Sequence, residues 1–358
     1  MSFAPLCRAM LAPVVTCLGL ASALPSAEAL TFVLRTAPGG ATLTAEQFGG
    51  FQAAADFWSS KLTDNVTVYL DIGFQKLDPN ILGSTSSNAI NVGYSTLRNS
   101  LSNDAKSIAD FSAIANLQSG SALRFQATQG DLSQRFDNDG SINNTTLFIN
   151  TANARAIGLS AAANANNPDA SILFGTDFAS GFAYSRVNGQ VPSNKTDFIT
   201  VAEHEIGHAL GFISGLDNLS ACVDNPAPCG LQATVGRFEG TTWYYPLDLF
   251  RYSAAGKLDL TLGGSPYFSV DGGVTSIETF STTVAHGNGW QASHFGTSVI
   301  TLMRPFVGTG QSYDAGASDL LAFDAIGWDL ASPVPEPQTW LMLAGGLAAL
   351  GWRRRLNA

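Results

Sequence analysis

Residues 197–211 read DFITVAEHEIGHALG, and the interpretation of the whole chain turns on them. Apolar residues recur there at helical spacing, Thr200 and Glu203 have the form of a capping pair, and Gly211 stands where such a helix should stop. His204 and His208 are four apart. On a helix they lie one turn apart on a single face, so both imidazoles can reach one metal ion about 2.0–2.1 Å from each nitrogen. Glu205 follows the first histidine around the helix and can meet a metal-bound water without being a ligand. With only 4 His and 7 Glu in 358 residues, an HExxH pattern arises by chance in roughly one such chain in a thousand. An ordinary helix carrying two exposed histidines is the weaker reading.

A catalytic zinc ion usually takes three protein ligands and leaves one position for water. In the compact form of the motif the third ligand follows at HExxHxxGxx(H/D). Here Gly211 is in place, but the next position is Ser214, which cannot serve. Downstream, Glu239, Glu278, His286 and His294 remain as options. His286 sits in AHGNG (285–289) and reads as a surface-loop histidine. His294 lies in QASHF (291–295), followed by TLMRP (301–305).

The two ends of the chain speak about its destination. Residues 1–29 carry Arg8, an apolar stretch from Met10 to Leu24 and then Ala27-Glu28-Ala29, the pattern of a signal-peptidase site, so the mature protein is expected to begin at Leu30. At the other end Val334-Pro335-Glu336-Pro337 precedes an apolar run from Trp340 to Trp352 and then Arg353-Arg354-Arg355. The run is shorter than the ~20 residues of a full membrane span, and the arginines would stay cytoplasmic. This tail resembles the PEP-CTERM sorting signal. The resemblance implies transient anchoring in the inner membrane, cleavage by an exosortase, and delivery to the cell surface or extracellular matrix of a Gram-negative bacterium.

Composition agrees with export. Charged residues make up 13% of the chain and apolar ones 45%, which excludes disorder and coiled coil. Residues 30–331 hold 14 basic and 26 acidic side chains, so a nucleic-acid surface would have to be built against the overall field, and no nucleic-acid partner is expected. Cys222 and Cys229, in CVDNPAPC, read as a disulfide closing a small loop in an oxidising compartment.

The mature chain shows no internal repeat. Patterning predicts a strand over 31–35, a helix over 44–61, a strand over 66–74, a Ser/Asn-rich loop, a single helical segment over 95–117, and strands over 123–127, 147–150 and 171–174. That mixture is an α+β fold with an open, mixed twisted sheet and an active-site helix. The expected divisions are a signal peptide (1–29), an N-terminal subdomain with the active-site helix (30–213), an insertion and C-terminal subdomain (214–331) and the sorting tail (332–358). Asp137-Asn138-Asp139-Gly140 fits an Asx-rich turn better than an EF-hand loop, whose first and last ligand positions would fall on Arg135 and Thr146.

At HExxHxxG, at His294 and at Met303 the chain resembles the leishmanolysin-like branch of the metzincins, in which a long insertion separates the helix from the ligand histidine and a Met-turn follows. It is especially similar to the PEP-CTERM-tagged members of that group, in residues 147–158, 247–253, 267–273 and 325–328. The resemblance implies a zincin/metzincin-like fold, with His204, His208 and His294 binding Zn2+, Glu205 as the catalytic base and Met303 as an apolar floor under the metal. The implied activity is that of an exported zinc metalloendopeptidase acting on a protein or peptide substrate. Tyr313 is a candidate for stabilising the oxyanion. Two other classes stay open: a non-catalytic surface or biofilm-matrix protein with a structural or inactive site, and a deformylase-like amidase.

Overall fold

The computed structural model describes residues 30–227, 229 and 237–331; the expected signal peptide and sorting tail lie outside the described residues. In the first half the chain runs β1 (Thr31–Thr36), α1 (Ala45–Lys61), β2 (Thr67–Gln75), β3 (Gly83–Ser87), β4 (Ala89–Gly93), α2 (Tyr94–Asp104), α3 (Ile108–Asn116), β5 (Phe125–Thr128) and β6 (Gln134–Asp137). There follow α4 (Ile142–Thr145), β7 (Thr146–Asn150), α5 (Thr151–Ala156), β8 (Ala170–Gly175), β9 (Phe182–Ala183), β10 (Thr196–Asp197) and α6 (Phe198–Ala209). The rest is α7 (Leu216–Asp224), β11 (Arg251–Ala254), β12 (Lys257–Leu260), β13 (Tyr267–Phe268), β14 (Glu278–Thr279) and α8 (Ala317–Ala325). The fold is mixed α+β.

One sheet has the order β1-β2-β8-β3, parallel except for β3, which runs antiparallel at the edge. The first helix begins where expected: Thr44 accepts the Gln47 N–H while Gln47 reaches back to the Thr44 N–H, a reciprocal cap. Its buried face is aromatic. Phe51 meets Phe174 of β8 edge-on at 5.3 Å and Phe198 of α6 at 4.9 Å, and Trp58 lies 4.5 Å from Phe323 of α8. Thus α1 packs against the sheet, the motif helix and the last helix. The Trp58 indole also donates to Glu203 O of α6 at 2.8 Å.

The segment over 95–117 is two helices rather than the one expected. Asp110 accepts the N–H groups of Lys106 and Ser107, and the Ser107 hydroxyl accepts the Asp110 N–H, so a fresh cap restarts the chain at Ile108. The Ser/Asn-rich stretch contains β3 and β4. Neither shows an alternation of apolar residues strong enough to announce a strand, because β3 (GSTSS) is an edge strand whose residues are all part-exposed or exposed.

The second sheet, β14-β13-β11-β12-β5-β6, joins the two halves of the chain: β12 pairs parallel with β5 across the 213/214 boundary. Buried residues from both sides of that boundary form one continuous core. The Cys222–Cys229 disulfide is present, at the C-terminal end of α7. At the end of the described chain Leu330 bridges Leu62, Thr63 N–H donates to Asp329 O at 2.9 Å and Ala331 N–H donates to Lys61 O at 2.7 Å.

Candidate metal centre

Helix α6 starts at Asp197, not at the Thr200/Glu203 pair that the sequence favoured. The Asp197 carboxylate accepts the Thr200 N–H at 3.2 Å and the Thr200 hydroxyl at 2.8 Å, and Arg186 pairs with it at 2.6 Å. Glu203 is buried instead, and desolvation pushes its carboxyl up to about 8. The helix ends at Ala209, followed by Gly211 at φ +117°, a conformation L side chains rarely adopt.

The three histidines come together. His204 Nε2 and His294 Nε2 are 3.1 Å apart, His204 Nε2 and His208 Nε2 3.1 Å, and His208 Nε2 and His294 Nε2 3.3 Å. Each ring turns its other nitrogen to a backbone carbonyl: His204 Nδ1 to Leu302 O at 2.8 Å, His208 Nδ1 to Phe212 O at 2.7 Å, and His294 Nδ1 to Gln291 O at 3.2 Å. A carbonyl only accepts, so each Nδ1 carries the proton and each Nε2 presents a lone pair. Three lone pairs facing one another cannot hydrogen-bond; they fit a cation. Two nitrogens about 2.0–2.1 Å from one zinc at the tetrahedral angle stand about 3.3–3.4 Å apart, close to the separations found. Burial lowers His204 to about 4 and His208 to about 3, and holds His294 well below its ordinary value, so all three are neutral at pH 7, as ligands must be.

Glu205 is met by a residue the sequence did not reveal. Thr85 Oγ1, on β3, lies 2.7 Å from Glu205 Oε2 and 2.9 Å from Glu205 O. Burial pushes the Glu205 carboxyl up to about 7, against the pull of the Thr85 hydroxyl. A carboxyl poised near neutrality suits proton transfer.

Met303 lies directly beneath the helix. A Cβ on Gly207 would sit 2.6 Å from Met303 Sδ, so only glycine permits this approach. The Met303 segment is held by Asp319 of α8, which accepts the N–H groups of Leu302 at 2.9 Å and Met303 at 3.1 Å. The same Leu302 offers its carbonyl to His204. Phe295 N–H donates to Met303 O at 2.9 Å, which ties the His294 segment to this turn.

The other sequence candidates are engaged elsewhere. His286 Nε2 lies 2.7 Å from Asp224 Oδ1. Glu278 is on β14, accepting the Thr279 N–H. Glu239 joins Asp137 and Asp139 in a group whose oxygens lie within 4.8 Å of one another, with Arg135 ion-paired to all three. Asp139 there accepts the Ser141 N–H at 2.9 Å, an Asx turn as expected. Tyr313 donates its hydroxyl to Gln311, and its N–H bonds Thr200 Oγ1 at 3.0 Å. Ser214, at the compact-motif ligand position, donates its N–H to Ser293 Oγ at 2.9 Å and its hydroxyl to Asp248 at 2.6 Å. It holds the residue next to His294.

Comparison with known families gives a match over residues 333–355, described as the PEP-CTERM protein-sorting motif. The chain carries that sorting signal. It is therefore an exported, exosortase-processed cell-surface protein of Gram-negative bacteria. No curated protein and no solved structure matches the chain.

Proposed function

We propose that the chain is an exported zinc-dependent endopeptidase with a metzincin-like centre, in which His204, His208 and His294 hold the metal and Glu205 is the general base. The observation that carries this reading is the convergence of three Nε2 lone pairs at 3.1–3.3 Å, with every Nδ1 proton committed to a carbonyl. A zinc ion bound there supplies Lewis-acid chemistry, lowering the pKa of its water toward about 7 and polarising a carbonyl.

The rest is done by the protein. Glu205 takes a proton from the attacking water and returns it to the leaving amine. Thr85 fixes the rotamer of that carboxylate and favours its ionised form. Among the described residues strand β3 has only β8 as a neighbour in its sheet, so its outer edge offers backbone groups beside Glu205 to which an extended peptide can add as a further strand. Met303 fills the space beneath α6 with an apolar side chain, keeping polar competitors away from the ligand imidazoles.

The released protein is expected to bind about one zinc per chain and to cleave an unfolded protein such as casein, with activity lost on chelation. Glu205→Gln should retain the metal and lose nearly all turnover. A Glu205→Gln protein that cleaves like the parent removes Glu205 from the mechanism; a parent without bound metal or hydrolysis refutes the reading as a whole.

A further inference from the structure

The third histidine arrives on an irregular segment. Residues 281–305 contain no helix and no strand, only isolated bridges at Thr283–Trp290 and Phe280–Phe295. Within it Ser281 N–H donates to His294 O and Phe295 N–H to Met303 O, both at 2.9 Å, whereas the Ala292 and Ser293 N–H groups are held from outside, by α7. In the first turn of that helix, Asp217 Oδ1 accepts the Ala292 N–H at 2.7 Å, while Oδ2 accepts the Ser293 N–H at 3.0 Å and the Ser293 hydroxyl at 2.6 Å. At its last turn, Asp224 holds His286. All three hydrogen bonds of the Asp217 carboxylate go to the two residues before His294, and no Lys or Arg forms an ion pair with it among the described residues. Ser293 Oγ in turn accepts the Ser214 N–H, and Ser214 donates to Asp248, whose other oxygen accepts the N–H groups of Gly215 and Tyr245, both at 2.9 Å.

We propose that Asp217 is a positioning residue for the metal centre: its carboxylate fixes the Ala292–Ser293 backbone and so presents His294 to the other two imidazoles. This inference rests on the three-histidine reading above. Two histidines come preassembled on one rigid helix, whereas the third must be ordered separately. A carboxylate accepting two consecutive N–H groups does that ordering before metal arrives, and charge-assisted bonds of this kind are the strong ones. Partners that orient a ligand from behind typically set metal affinity by about 10- to 100-fold.

The test uses the exported protein and Asp217→Asn. Asparagine keeps one acceptor and replaces the other with an NH2 group, which faces an N–H wherever it is placed. Zinc affinity is measured by competition with a chromophoric chelator, and geometry by the visible spectrum of the Co2+-substituted protein. Asp217→Asn is expected to weaken zinc binding about 10- to 100-fold and to move the Co2+ spectrum toward that of His294→Ala. Ile72→Val, in the first sheet, serves as the stability control and should leave both readouts unchanged. Should Asp217→Asn fail to fold, Asp217→Ser carries the test: its hydroxyl is too short to reach the Ala292 and Ser293 N–H groups together, and it should weaken zinc about 10-fold. Parent-like zinc affinity and spectrum in whichever of the two variants folds overturn the proposal while leaving the three-histidine reading standing. A parent chain that binds no zinc overturns both, and that result is visible before any variant is made.

Discussion

Replacing Thr85 by valine should shift the pH dependence of catalysis without touching the metal ligands. Valine keeps the β-branched shape on β3 and removes only the hydroxyl that lies 2.7 Å from Glu205 Oε2. A hydrogen bond to a charged acceptor is worth about 1.5–3 kcal/mol, and it acts on the ionised carboxylate alone. Each 1.36 kcal/mol of such preference corresponds to about one pKa unit, so losing the bond raises the Glu205 pKa, which starts from about 7, by roughly one to two units. The base works ionised, so the acid limb of kcat/KM moves to higher pH by that amount. The assay is a pH profile of peptide hydrolysis between pH 5 and 9 for parent and Thr85→Val, with zinc content measured alongside. An unmoved acid limb at equal zinc occupancy would falsify the argument that Thr85 tunes the base.

Other expectations follow from the same geometry. His294→Ala should lower zinc occupancy sharply and His286→Ala hardly at all, as measured by metal analysis after dialysis; the reverse pattern would reassign the third ligand. Gly207→Ala should destabilise the protein by about 1–3 kcal/mol in urea, since the new Cβ would lie 2.6 Å from Met303 Sδ; parent-like stability would mean that Met303 can give way. Asp64, buried near Asp329 and Asp104, has its carboxyl pushed from 3.8 up to about 7, mainly by burial. A raised folded-state pKa gives stability that is complete below about pH 4 and is lost as pH rises through about 7. Asp64→Asn keeps an acceptor for the Asp329 N–H and should therefore raise Tm relative to the parent at pH 8 but not at pH 4, and an equal Tm difference at both pH values would refute the assignment.

Helix α6 and its histidines could be read from sequence because a periodic apolar face and an i, i+4 pair are local properties. The cap was missed for a related reason. Thr200 and Glu203 have the spacing of a box, yet Asp197 takes the position because it can pair with Arg186 as well. Thr85 left no trace, since its role depends on an edge strand packing over the helix and GSTSS has no apolar alternation. Asp217 and Asp319 look like ordinary acids in the first turns of their helices. Their carboxylates matter through segments 75 and 16 residues away, and such pairings are set by tertiary packing. The parallel pairing of β12 with β5 is likewise non-local, and it is why a division at residue 213 describes the order of the chain better than the arrangement of its core.

The bridge between Leu62 and Leu330 has a mechanical consequence. Ala331 is stitched to the end of α1, and the sorting motif begins at residue 333. Hardly any slack separates the folded body from the segment handled during export. A pull on that segment meets first the C-terminal end of α1, through the backbone hydrogen bonds of Ala331 to Lys61 and of Thr63 to Asp329. The protein can thus be held by its tail, and cut from it, with the load taken first at the end of α1.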